Sequence, residues 1–127
     1  MRSPRVLSVG QCSMDHGSIS RFLQREFGAK VIAASDREEI EQHIQSAPCD
    51  LVLVNRILDG DGTTGLDLIR EWTSSPDLAE IPIMLVSNYP DAQQSAESLG
   101  ALPGFGKASL TAAATRAKLA AVLGPKE

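Results

Sequence analysis

The stretch that most constrains this chain is Asp50-Leu51-Val52-Leu53-Val54-Asn55, followed by Arg56-Ile57-Leu58-Asp59-Gly60-Asp61-Gly62-Thr63-Thr64-Gly65. Four consecutive apolar residues between polar neighbours predict a short strand buried on both faces, the signature of a central strand in a parallel sheet. The loop behind it is rich in Gly and Asp, and a helical pattern resumes at Leu66. In parallel α/β sheets, chemistry sits outside the carboxyl ends of such strands. Asn55 therefore marks the place where any site should lie.

Around this stretch, strand-like and helix-like segments alternate. Arg5–Val9 predicts a first strand, and Ile19, Phe22, Leu23 and Phe27 then recur at helical spacing up to a stop at Gly28. Ser13 or Asp15 stands where a cap belongs. Lys30–Ala34 predicts a second strand. Ser35 with Glu38 predicts a capping box for a helix through Ile40 and Ile44. A third helix is expected from Gly65 to Ser74, with Leu66, Ile69 and Trp72 as its buried stripe. Ile81–Val86 reads as strand four, Asp91–Leu99 as a weak helix, and Ala101–Gly106 as a fifth strand whose Pro103 and Gly104 suit only an edge. Ser109 is expected to cap a last helix through Leu123. Five β-α units in 127 residues predict a single α/β domain over 1–127, a parallel sheet with helices on both faces.

Composition excludes several function classes. A net charge of −4 argues against a general nucleic-acid or anionic-membrane binder, and 4% aromatic content against a stacking platform for single strands. No apolar run approaches the ~20 residues of a membrane span. The start of the chain carries no apolar signal region, so a cytoplasmic location is the expectation. Cys12 and Cys49 fall at opposite edges of the expected sheet, too far apart to bridge, and read as free thiols.

The layout from Arg5 to Leu123 resembles the receiver domain of bacterial two-component response regulators. The resemblance rests on the Arg5–Val9 strand, Asp50-Leu51-Val52-Leu53-Val54, Gly65-Leu66-Asp67-Leu68-Ile69-Arg70, Ile81-Pro82-Ile83-Met84-Leu85-Val86-Ser87 and the late Lys107. It implies a flavodoxin-like (βα)5 three-layer sandwich with strand order 2-1-3-4-5. In that family an acidic pair after strand one holds Mg²⁺, an Asp ending strand three accepts a phosphoryl group, and a Ser or Thr and a Lys contact its oxygens. Ser87 and Lys107 match the last two. The acidic pair is replaced at Gly10, Gln11 and Cys12, and the acceptor position is Asn55.

Those replacements decide the expected chemistry. An amide is neutral and cannot attack phosphorus as a carboxylate does. Mg²⁺ is a hard cation that wants carboxylate oxygens. Acceptor and metal site are lost together, so the resemblance implies a pseudo-receiver without cofactor or enzymatic activity: a phosphorylation-independent protein–protein interaction module. The alternatives are a small-ligand sensor using the vacated pocket near Gly10, Asn55, Ser87 and Lys107, or a receiver phosphorylated at a non-standard residue. Ala108 replaces the proline usual after the lysine, which implies a differently set loop. Lys107 is expected either to hydrogen-bond Asn55 or to turn to solvent, and Ser87 to be a pocket relic or a helix-start residue.

The remaining polar residues are weaker candidates. Asp59-Gly60-Asp61-Gly62 begins like a calcium loop, but its twelfth position is Arg70 instead of a bidentate Glu, so a polar turn is the expectation. Asp59 or Asp61 is the fallback metal ligand or phosphate acceptor. His16 and His43 belong to no ligand set. The last helix carries Ala on more than one face, which makes Ala113, Arg116, Ala117 and Ala120 a candidate surface for a signalling partner, an output domain or a homodimer.

Overall fold

A computed structural model describes residues 3–56 and 64–124. Five parallel strands, β1 (Arg5–Val9), β2 (Lys30–Ala34), β3 (Leu51–Asn55), β4 (Ile83–Val86) and β5 (Leu102–Phe105), form one sheet in the order β2-β1-β3-β4-β5. Helices α1 (Ser13–Phe27), α2 (Arg37–Ser46), α3 (Gly65–Ser74), α4 (Pro90–Ser98) and α5 (Ala113–Leu123) connect or follow them. This is the expected flavodoxin-like three-layer arrangement.

Strand alternation sorts the core into two layers. On one face Leu7, Val9, Val52, Val54, Ile83 and Leu85 pack with Ile40 of α2, Leu68, Ile69 and Trp72 of α3 and Ala96 of α4. On the other, Val6, Leu51, Leu53, Met84 and Val86 meet Ile19, Phe22 and Leu23 of α1 and Leu119 of α5. Leu51, Val52, Leu53 and Val54 are all 0% exposed, which is why β3 reads as an unbroken apolar run.

Three boundaries differ from the sequence expectation. The α2 cap lies one residue later: Asp36 accepts from the Glu39 N–H at 3.0 Å, while the Glu39 carboxylate accepts from the Ser35 N–H at 3.2 Å. The reciprocal pair is thus Asp36 and Glu39, because Asp36 holds the extended conformation an N-cap needs. Strand β4 starts at Ile83, since the Ile81 carbonyl accepts from the Trp72 indole and the Ile81 N–H bonds Leu78. Helix α5 starts at Ala113 instead of near Ser109. Residues Lys107–Ser109 close a 3₁₀ turn, and the Ser109 carbonyl accepts from the Ala112 N–H and the buried Thr115 hydroxyl.

β5 is the edge strand that Pro103 and Gly104 foretell. Met84 pairs with Leu102 but Val86 with Phe105, so β5 carries one extra residue there. Gln93 of α4 repairs the gap. Its amide nitrogen lies within 2.8 Å of the Leu85 carbonyl and 3.1 Å of the Ser87 carbonyl, and its oxygen accepts from the Gly104 N–H.

Candidate functional site

The carboxyl ends of β1, β3, β4 and β5 converge, with Asn55 as the last residue of β3. Asn55 Nδ2 donates to the Gly10 carbonyl at 3.4 Å, which ties the ends of β1 and β3. Gly65, opening α3, packs directly beneath: a Cβ there would lie 2.3 Å from the Asn55 carbonyl oxygen and 3.0 Å from Leu85. Only glycine allows α3 to approach the strand this closely. Gln11 follows on the β1 side. Its Nε2 reaches the Val9 carbonyl at 3.5 Å, and its Oε1 is buried without a hydrogen-bond partner among the described residues.

Lys107 bonds neither solvent alone nor Asn55. Its Nζ donates to Asp15 Oδ2 at 2.7 Å, and the Cys12 thiol donates to the same oxygen at 3.2 Å. Asp15 is therefore not the helix cap that its position suggested; α1 has Cys12 at its N-cap and no side-chain cap. The Lys107 hydrogen bond, then that of Cys12, holds the Asp15 carboxyl below its ordinary value, partly opposed by burial.

The loop carrying Lys107 is set by Asn88. Asn88 Oδ1 accepts from the Ala108 N–H at 3.1 Å and presses on Gly106, where a Cβ would lie 2.0 Å from it. Ser87 is buried, and its Oγ accepts at 3.1 Å from the N–H of Tyr89, the residue that precedes α4. Asn55, Arg56, Val86, Ser87, Asn88, Tyr89 and Lys107 enclose a cleft of about 230 Å³. Ser87 and Lys107 thus reach one cleft with Asn55, whereas Gly10, Gln11 and Cys12 lie on its β1 side.

Mg²⁺ does not fit the described donors. Gly10, Gln11 and Asn55 offer only carbonyl and amide groups, and Asp15, the carboxylate near them among the described residues, already accepts two hydrogen bonds on one oxygen. Asp59 and Asp61 lie outside the described residues. Sequence reading missed Asn88, Gln93 and Arg56, and it weighed Asp15 mainly as a cap. Asp15 was traceable, standing one α-helical turn after Cys12; nothing local marks the others.

No protein-family model matches this sequence. It is 31% identical over 94 residues to the sensor histidine kinase GacS of Pseudomonas protegens, covering 73% of this chain but only 10% of that protein. Among solved structures, a protein of Chloroflexus aurantiacus assigned as a response regulator superposes with TM-score 0.75 at 18% identity, covering 96% of this chain and 98% of that one. The chemotaxis response regulator CheY4 of Vibrio cholerae gives TM-score 0.66 at 20% identity over 96% of this chain and 97% of that one. A receiver domain of a DNA-binding response regulator from Colwellia psychrerythraea gives 0.69 at 21% identity over 84% and 87%. The chain has the receiver-domain fold. Within that receiver fold, Asn55 occupies the end of the third strand, and Asp15 of α1 pairs with Lys107. No helix among the described residues is long and apolar enough to cross a membrane.

Proposed function

We infer that this chain is a pseudo-receiver: a non-enzymatic, cytoplasmic module of bacterial two-component signalling that binds a protein partner independently of phosphorylation. The observation that carries this reading is Asn55 at the end of β3, its amide turned to the Gly10 carbonyl, where a phosphoacceptor would need an anionic oxygen. The commitment of Asp15 to Lys107 supports it, because the one described carboxylate near the cleft is held by a cation. The local match to a sensor histidine kinase supports a signalling setting; the chain spans about a tenth of that relative.

The partner surface in this reading is α5. Ala113, Arg116, Ala117 and Ala120 are all exposed there, while Thr115 and Leu119 are the buried residues of the helix and Leu119 packs in the core below the sheet. Small side chains let another helix approach closely, and the partner is a signalling protein, an output domain or a second copy of this chain.

The test is an amide NMR titration with Mg²⁺ followed by beryllofluoride. Resonances of Asn55, Ser87 and Lys107 should not shift saturably. Saturable shifts there would overturn the reading and point to Asp15, Asp59 or Asp61 as a rebuilt site. Asn55→Asp alone should likewise take no label from acetyl phosphate and Mg²⁺, because the metal carboxylates remain missing; robust labelling would contradict this account.

A further inference from the structure

We propose that the α1–α5 face of this chain docks, head to tail, on the α2–α4 face of a second copy. The inference rests on the reading of α5 as the partner surface and names its occupant. It is carried by charge: the two outer layers of the sandwich are of opposite sign, so each copy bears both halves of a complementary contact.

On the α1–α5 side, Arg21, Arg25 and Arg116 are exposed. Arg21 and Arg25 stand one turn apart on α1, on the side away from the buried Ile19 and Leu23. Arg116 of α5 donates to Glu26 of α1 at 2.8 Å, and Arg25 donates to the same carboxylate at 3.1 Å. The two helices thus form one continuous surface, in which two guanidinium groups meet one carboxylate. Both guanidinium groups also lie 5.9 Å from the centre of the buried Phe22 ring, a cation–π contact that holds them in place before any partner arrives. Lys118 adds a further cation, whose Nζ donates to the uncharged Gly104 carbonyl at 2.8 Å.

The opposite layer is acidic. Glu38 and Glu41 of α2, Asp67 and Glu71 of α3, and Asp91 and Glu97 of α4 are all exposed. Arg37 pairs with both Glu41 and Glu71, which ties α2 to α3, and Arg70 lies 3.8 Å from Asp67. These two cations stitch the acidic layer together and are outnumbered in it. The whole chain carries a net charge of −4, so two copies repel when they approach at random. Basic face on acidic face is the approach that turns repulsion into attraction at contact, where the facing groups are much closer than the molecular centres. The short exposed side chains of Ala113, Ala117 and Ala120 let α2 and α3 of the second copy come near the arginines.

The two faces cover opposite sides of the sheet, α1 and α5 over one core layer and α2, α3 and α4 over the other. The contact therefore joins unlike surfaces, and each bound copy still presents one unused face. Copies add in an open stack and do not close at two.

The measurement is sedimentation equilibrium of the 127-residue chain over a concentration series. It is run at about 20 mM and about 500 mM NaCl, where the Debye length falls from roughly 20 Å to roughly 4 Å. At low salt the weight-average mass should rise with concentration and pass that of a dimer, and the association constant should fall at least tenfold at high salt. Arg21→Glu with Arg116→Glu makes both faces acidic, and Glu41→Lys with Glu71→Lys reverses the seam around Arg37; each double variant alone should be monomeric. Mixed, they should associate again, because the acidic face of the first still meets the basic face of the second. A wild-type chain that stays monomeric at low salt, association indifferent to salt, a mass that levels off at the dimer, or a variant mixture that stays monomeric would each overturn the proposal. A monomeric wild type would leave α5 to a signalling protein or an output domain, with the pseudo-receiver reading intact. Saturable beryllofluoride shifts at Asn55, Ser87 and Lys107 would overturn that reading instead, and the sedimentation result does not depend on them.

Discussion

The β1/β3 half and the β4/β5 half of the cleft have diverged in opposite ways. On the β1/β3 side the described residues Gly10, Gln11 and Asn55 offer neutral carbonyl and amide groups, and the backbone arrangement is tight: Asn55 ties to Gly10, and Gly65 presses on the Asn55 carbonyl. On the β4/β5 side Ser87 and Lys107 are present, but each has a local partner, the Tyr89 N–H and the Asp15 carboxylate. A residue in the right place is therefore no guide to its role until its partner is known. Architecture constrains the first half, and electrostatics the second.

The largest expected effect tests the architectural side within one strand. Leu53 is fully buried, so Leu53→Ala should cost about 3 kcal/mol by lost burial and the cavity left behind. Asn55→Ala, two residues further, should cost about 1 kcal/mol or less, the worth of a long, part-exposed hydrogen bond. Urea denaturation of both variants checks this. Comparable losses would mean that Asn55 is a structural keystone, and the site would need a different account.

Gly65→Ala comes next. The added Cβ meets backbone at 2.3 Å, which no side-chain rotation relieves, so α3 must shift at a cost of about 1–3 kcal/mol. The same shift should perturb Asn55 and leave Lys107 unmoved in amide spectra. A perturbation spreading equally to Lys107 would show that the two halves are coupled.

The fold was legible in the sequence because burial writes directly onto pattern: Leu51–Val54 on both faces, Ile19, Phe22 and Leu23 on one face of α1, Pro103 and Gly104 at an edge. Asn55, Ser87 and Lys107 were also legible as candidates, and they line one cleft. What escaped is long-range pairing. Asp15 and Lys107 are 92 positions apart, and Gln93 stitches β4 to β5 with contacts that no spacing rule encodes. The boundaries of α2 and α5 escaped for a related reason, since Asp36 and Ala112 are the residues whose backbone takes the extended N-cap conformation, over the serines that local cap preference favours.

A smaller effect tests the electrostatic half. Asp15 and Lys107 are each about one-third exposed, so solvent screens the pair and Lys107→Met should cost at most about 1 kcal/mol. Its pH dependence has a definite sign. The folded-state pKa of Asp15 is depressed, chiefly by the Lys107 hydrogen bond. The contribution is complete well above the ordinary value of 3.8 and fades as pH falls below it, through the lowered folded-state value. Stability of wild type and Lys107→Met should therefore converge in acid and separate near neutrality. A gap that widens in acid would mean that Lys107 is held by something other than the Asp15 carboxylate.

The smallest effect belongs to a pair outside the cleft. Glu26 accepts from Arg116 at 2.8 Å and from Arg25 at 3.1 Å, and both guanidinium groups lie 5.9 Å from the Phe22 ring centre. The geometry resembles that of Asp15 and Lys107, and the hydrogen bonds, from Arg25 first, lower the Glu26 pKa as well. Its surroundings are different: the pair stands on the open surface of α1 and α5, where water competes for every hydrogen bond. Glu26→Gln should leave the thermal midpoint unchanged within error at physiological salt. If α5 docks a partner, the same substitution frees Arg116 beside Ala117 and Ala120 and should change partner affinity without changing stability. A drop in the midpoint instead would make this ion pair part of what holds α5 to α1, and would remove it from the interaction surface.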